Sequence, residues 1–292
     1  MGLAALIISK NTPSFTSKFN ELYGHASILR KYMGVLDEDL FVCGQLQHGW
    51  CLDARSIDPS PSPLYVWNER SLKGLHSRGQ DGYTIGAPFL YGGFENLEHE
   101  MSTCSLLAIP EHSTVGRRYE NRYQAAEDYA KWLNEIRVKE GFTQVTVVLH
   151  YNDYFDYTTS SVFNRYGIAP VTCGAPLGSA DYLGRMAELM CKHSVVTSNI
   201  VCTAIFYACY LKKVAFIGGP IPSRVSLNAS TEQVSQEVLN PEWIKKEFPS
   251  LYVDIQKATV NYEIGCKELG LKFKRVPHNL WSIVQLCCMK QA

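Results

Sequence analysis

Val195-Val-Thr-Ser-Asn-Ile-Val-Cys-Thr-Ala-Ile-Phe-Tyr-Ala-Cys-Tyr-Leu-Lys-Lys-Val-Ala-Phe-Ile-Gly-Gly219 decides the fold. It reads as a short buried strand, a polar Thr197-Ser198-Asn199 turn, a helix, and a second buried strand ending in two glycines. Ser198 or Asn199 is expected to cap the helix. The turn then sits at the carboxyl end of a strand and the amino end of a helix. Oriented N–H groups and the positive end of the helix dipole gather there, which suits a phosphate. Strand–turn–helix–strand is the working unit of nucleotide-binding α/β domains.

The same alternation runs outward in both directions. Upstream, strands are expected at 3–8, 40–46, 64–67, 83–88, 105–109, 144–149 and 170–173, and helices at 14–35, 119–140 and 180–192. Ser179 or Asp181 would cap the last of these helices. The run Asp58-Pro-Ser-Pro-Ser-Pro63 breaks any helix or central strand. Downstream, 228–292 looks mostly helical, with one strand at Leu271–Arg275. Alternating strands and helices predict parallel sheets covered on both faces. A glycine-bearing and then acidic connection at 89–104 marks the expected boundary. Residues 1–100 would form a short amino-terminal Rossmann-like domain, facing a second one at 101–292 across a cleft.

Composition bounds the function. The chain has 292 residues, 46% of them hydrophobic, and its 28 basic and 28 acidic residues cancel. Bulk charge therefore argues against nucleic-acid binding. No run reaches the roughly 18 apolar residues of a membrane span. The apolar stretch Leu3–Ile8 lacks a basic leader and reads as a strand rather than a signal peptide. Ten cysteines show no metal-type spacing and suggest reduced core thiols of a cytoplasmic protein. No glycine-rich dinucleotide fingerprint, P-loop or nucleophile elbow occurs, which disfavours dehydrogenases, NTPases and α/β-hydrolases.

Four polar clusters follow expected strands, where open parallel sheets bind ligands. Gln47-His48-Gly49 offers an imidazole that can take a proton from a hydroxyl, or else a loop histidine bound to backbone. Glu111-His112-Ser113-Thr114, with Gly116-Arg117-Arg118 beyond it, offers donors for a phosphate or sugar oxygen, or a plain helix cap. His150-Tyr151-Asn152 could hold a base or ribose. Asp153 and Asp156 beside it have irregular spacing and aromatic neighbours, so a loop edge is favoured over a metal pair. Thr197-Ser198-Asn199, with Thr203 one turn on, carries hydroxyl and amide groups at the phosphate-binding end of a helix. Thr172-Cys173-Gly174 adds a loop that lets a base approach the backbone.

Taken in order, Gln47-His48-Gly49, Trp67-Asn68, Ile85-Gly-Ala-Pro88, Ile109-Pro-Glu-His-Ser-Thr114, Val196-Thr-Ser-Asn199 and Phe206–Val214 resemble bacterial surface-polysaccharide transferases of GT-B type. These use CMP- or CDP-linked donors. They include capsule and lipopolysaccharide transferases of Kdo and sialic-acid-like sugars, and the teichoic-acid polyol-phosphate transferases. The resemblance covers about residues 40–219. It implies His48 as catalytic base and His112 and Ser113 at the nucleotide, although this chain has His-Ser where the family has His-Pro. It implies Ser198 and Asn199 at the donor phosphate. With it, Thr114, Thr172, Gly174 and Thr203 are expected around the donor, and Gln47, Asn68, Tyr151 and Asn152 at base, ribose or acceptor. The expected reaction moves a sugar from a CMP-activated donor to a glycan hydroxyl in cell-envelope biosynthesis. No cofactor or metal is expected, since hydrogen-bond donors would take a metal's place. The enzyme would be cytoplasmic, peripheral to the inner membrane or to a polysaccharide assembly complex. A CDP-polyol phosphotransferase, a nucleotide-sugar epimerase or hydrolase, and a non-catalytic nucleotide-binding protein stay open beside it.

Overall fold

A computed structural model describes residues 18–35, 44–51, 64–97, 102–112, 117–119, 121–227, 234–236 and 241–291. The expected strand at 3–8 lies outside them, as does most of 40–46. Strands are β1 (Gln45–Leu46), β2 (Leu64–Val66), β3 (Gly82–Thr84), β4 (Ser102–Ala108), β5 (Arg117–Tyr119), β6 (Gln144–Val148), β7 (Ala169–Val171), β8 (His193–Ser198), β9 (Val214–Ile217), β10 (Arg224–Leu227) and β11 (Val234–Gln236). Helices are α1 (His25–Met33), α2 (Glu69–His76), α3 (Arg122–Glu140), α4 (Tyr151–Phe155), α5 (Tyr157–Arg165), α6 (Tyr182–Lys192), α7 (Thr203–Tyr210), α8 (Glu242–Glu247), α9 (Tyr262–Leu269) and α10 (Pro277–Gln291).

The fold is α/β, with two parallel sheets. One has order β1-β2-β3 and the other β7-β6-β4-β8-β9. In the larger sheet Leu106 lies opposite Val145 on one side and Val195 on the other. Alternate residues point to opposite faces of a strand. Leu106, Ala108, Val145, Val147 and Phe216 accordingly pack under α3 and α5. Leu107, Val148, Val196, Ala215 and Ile217 face α6 and α7. Both faces are covered, so the strands read as continuous apolar runs.

The second of these cores does not stop at the larger sheet. It runs on through Leu46, Tyr65, Trp67 and Ile85 of the first half. Helix α7 sits at its middle, with Ala204 through Tyr210 all buried. A helix apolar all round belongs inside a core. Phe89 stacks on Tyr207 at 3.9 Å, and Trp50 meets Phe206 at 5.0 Å. Helix α9 ties the halves again: buried Glu268 accepts from the Trp50 indole at 2.8 Å, and its carbonyl accepts from Asn68 at 2.7 Å. Gly265 lets α9 lie against the α7 backbone, where a Cβ would meet Tyr210 N.

Several expected elements differ. The first helix is shorter than 14–35: a 3-10 segment, Lys18–Gly24, precedes α1. Residues Leu271–Phe273 form a 3-10 turn rather than a strand, because Phe273 N and Lys274 N bond back to Gly270 O and Leu271 O. Neither Ser198 nor Asn199 caps α7. Cys202 holds that position, so the helix starts five residues after the strand ends. Asp181 stands at the cap of α6, without a side-chain hydrogen bond. An antiparallel sheet of order β11-β10-β5 was not expected.

Candidate functional site

The two helices that follow β4 and β8 pack on opposite faces of the sheet, α3 on one and α7 on the other. The chain therefore diverges between these neighbouring strands. This is a topological switch point, and its carboxyl edge is where such sheets open a crevice. Ile109-Pro110-Glu111-His112 leaves β4 there, and Asn199 leaves β8.

Asn199 clips the corners together. Its Oδ1 accepts from Glu111 N at 2.7 Å, and its Nδ2 donates to Pro220 O at 3.0 Å. One buried amide thus ties the exits of β4, β8 and β9. Ser198 beside it is fully buried. Its hydroxyl accepts from Ile200 N at 3.3 Å and from the Cys202 thiol at 3.7 Å. Ser198, expected at the donor phosphate, has no exposed surface and braces the corner through these bonds.

His112 stacks on His150 with ring centres 4.5 Å apart and planes 8° from parallel. The second and third clusters therefore meet. Burial, and then the neighbouring His112, lower the His150 pKa to about 4 against the pull of Asp153. At neutral pH it is an uncharged ring, suited to stacking rather than to ion pairing. Tyr151 and Asn152 are exposed at the start of α4 directly after it. Arg122, in the first turn of α3, reaches Asp156 at 3.1 Å and Asp153 at 3.6 Å. A cavity of about 30 Å³ lies among Pro110, Glu111, Arg122, Tyr129, Asp153 and Asn199. That holds a water or two, not a nucleotide. The buried Tyr129 hydroxyl has no partner.

The remaining expected residues divide by what they touch. His48 is exposed on the loop after β1. Gln47 is buried, accepting from Trp67 N at 3.1 Å and donating to Gly49 O at 2.9 Å. Thr203 accepts from Trp50 N at 2.8 Å, which brings the His48 loop to the start of α7. Asn68 is buried and caps α2, accepting from Ser71 N at 3.0 Å. These bonds make Gln47, Thr203 and Asn68 parts of the frame. Thr172 accepts from Gly174 N at 3.2 Å, in a turn past β7. Gly174 has φ +98°, a backbone most side chains avoid. β6 separates that turn from the β4 exit. Ser113, Thr114 and Gly116 lie outside the described residues.

Sequence reasoning missed His25. It is buried at the first position of α1 with neither ring nitrogen partnered, 6.2 Å from Trp67 between ring centres. Burial, then His48, lower its pKa to about 3. A single histidine on an apolar helix face gives no signal of its depth.

Among the described residues, no three His, Cys, Asp or Glu side chains gather as metal ligands. No helix of those residues is long and apolar enough to cross a membrane. Fold and strand-end geometry define the class: an α/β protein with its polar residues gathered at a parallel-sheet switch point. No protein-family model matches the chain, and no curated protein is similar to it.

Proposed function

We propose that the protein is a glycosyltransferase that moves a sugar, a 3-deoxy-2-ulosonic acid such as Kdo or a nonulosonic acid, from a CMP-linked donor to a glycan hydroxyl. In this reading the two parallel sheets form two Rossmann-like units of GT-B type, and the enzyme works at the cytoplasmic side of envelope-glycan assembly. One observation carries it: Asn199 Oδ1 accepts from Glu111 N at 2.7 Å, joining the exits of β4 and β8 at the switch point. Next to this corner, His112 and His150 lie stacked side by side.

The donor's pyrimidine lies against the neutral His150 ring, and His112 faces the phosphate. Ser113 and Thr114 add hydroxyls next to it in sequence. The acceptor oxygen attacks the anomeric carbon, forming a new C–O bond as the bond from that carbon to the phosphate oxygen breaks. His48 takes the acceptor's proton, and CMP leaves with the electron pair of the broken bond. Donors already oriented toward the departing phosphate lower the barrier, because nothing has to reorganise as charge develops.

A thermal-shift comparison of CMP, CDP, UDP and GDP tests this. A ligand that binds only the folded chain raises its melting temperature. CMP is expected to raise it most. A response to CDP alone would turn the reading to a CDP-polyol phosphotransferase, and no response to any nucleotide would end it.

A further inference from the structure

An aromatic surface continues from the candidate site along α4 into α5. Tyr151 is 39% exposed, Phe155 65% and Tyr157 82%. Tyr151 and Phe155 do not stand singly. The Tyr151 and Phe155 rings lie 4.8 Å apart, and Tyr154 meets Phe155 edge-on at 5.2 Å. Large apolar side chains clustered at a surface mark an interaction site. This one begins one residue after His150, at the carboxyl end of β6.

The polar groups among the rings tell what it fits. Asn152 is exposed between Tyr151 and the buried Asp153, and Asp156 separates Phe155 from Tyr157. The neighbouring cations are engaged: Arg122 with Asp156 and Asp153, and Arg165 with Glu127 at 2.5 Å. Arg165 also lies over the Tyr123 ring at 5.7 Å. Rings beside one exposed amide, with the nearby carboxylates and cations already paired, do not complement a phosphate-rich surface such as an anionic membrane or a nucleic acid. They complement a neutral polyol. The face of a pyranose carries C–H bonds with positive hydrogens, which meet the negative face of an aromatic ring. Its hydroxyls, around the rim, pair with an exposed amide such as that of Asn152.

We propose that Tyr151, Phe155 and Tyr157 form a glycan-binding platform that seats neutral sugar rings of the acceptor beside the transfer site. The acceptor role rests on the glycosyl-transfer reading, while the glycan binding itself does not.

The test is a glycan array bearing bacterial surface oligosaccharides with neutral pyranoses, probed with the full chain and with the Phe155→Ala/Tyr157→Ala double variant. Both substituted side chains are exposed, so an unchanged Tm shows that the variant folds. The wild-type chain is expected to bind neutral-pyranose glycans, and the variant to bind them about tenfold more weakly. Melting shifts with CMP are expected to stay equal in the two proteins. The proposal is overturned by equal glycan binding in both, by no glycan binding in the wild-type chain, or by wild-type binding to phosphatidylglycerol vesicles that the variant loses. Glycan binding lost in the variant, with neither protein responding to CMP, would keep the platform and remove the transfer reading.

Discussion

At the residue scale, Asn199 and His25 carry the sharpest consequences. Asn199→Ala leaves Glu111 N without its acceptor and Pro220 O without its donor. The expected loss is about 1–3 kcal/mol, read as a lower urea midpoint, with a weakened response to CMP. Asn199→Asp keeps the acceptor and should restore part of the stability. His25 sets a pH dependence. Its pKa is near 3 in the folded chain, against an ordinary value near 6.5 once unfolded. Between those values the unfolded chain binds a proton that the folded chain refuses. Stability is therefore full above about pH 6.5 and falls toward pH 3, at up to about 1.4 kcal/mol per pH unit from this group. His25→Phe should flatten that part of the slope in urea titrations at stepped pH. His150 and His193, whose pKa values are also lowered by burial, leave a residual slope in the same direction. The sequence marks Asn199 as polar at a strand end, and so as a site residue. It does not distinguish Asn199 from Ser198, because depth at a strand terminus depends on how the next corner packs.

At the scale of elements, α9 is the joint. Glu268 is buried and holds the Trp50 indole at 2.8 Å, with Arg70 at 3.4 Å. Glu268→Ala would strand that N–H and remove one of the carboxylates facing Arg70. The expected cost is about 3 kcal/mol, checked by chemical denaturation. The parallel strands of 102–217 were legible because burial on both faces leaves unbroken apolar runs. Two elements were not. Leu271-Lys-Phe-Lys274 alternates as a strand would, yet its N–H groups close a 3-10 turn after Gly270. At Gly270 the chain turns through φ +72° against the Trp67 carbonyl, with no room for a Cβ. β5 is the polar run Arg117-Arg118-Tyr119, which becomes a strand by pairing with β10, about a hundred residues away. Such pairing writes no local period into a sequence.

At the scale of the molecule, the two parallel sheets share one core with α7 inside it. A single cooperative unfolding transition is expected, with tryptophan fluorescence and far-UV circular dichroism coincident. The sequence shows two sets of strands and a boundary near 89–104. It cannot show that Phe89, just past the first set, stacks on Tyr207 at 3.9 Å and joins them. The Trp50–Thr203 bond holds the His48 loop against α7, and we propose the carboxyl edge of β4 and β8 as the place for the ligand. Calorimetric titration of CMP into the intact chain and into His112→Ala measures this most directly. Binding to the intact chain, weakened about tenfold in the variant, is the expected result. Absence of binding, or equal binding to both, would contradict a nucleotide seat at that edge.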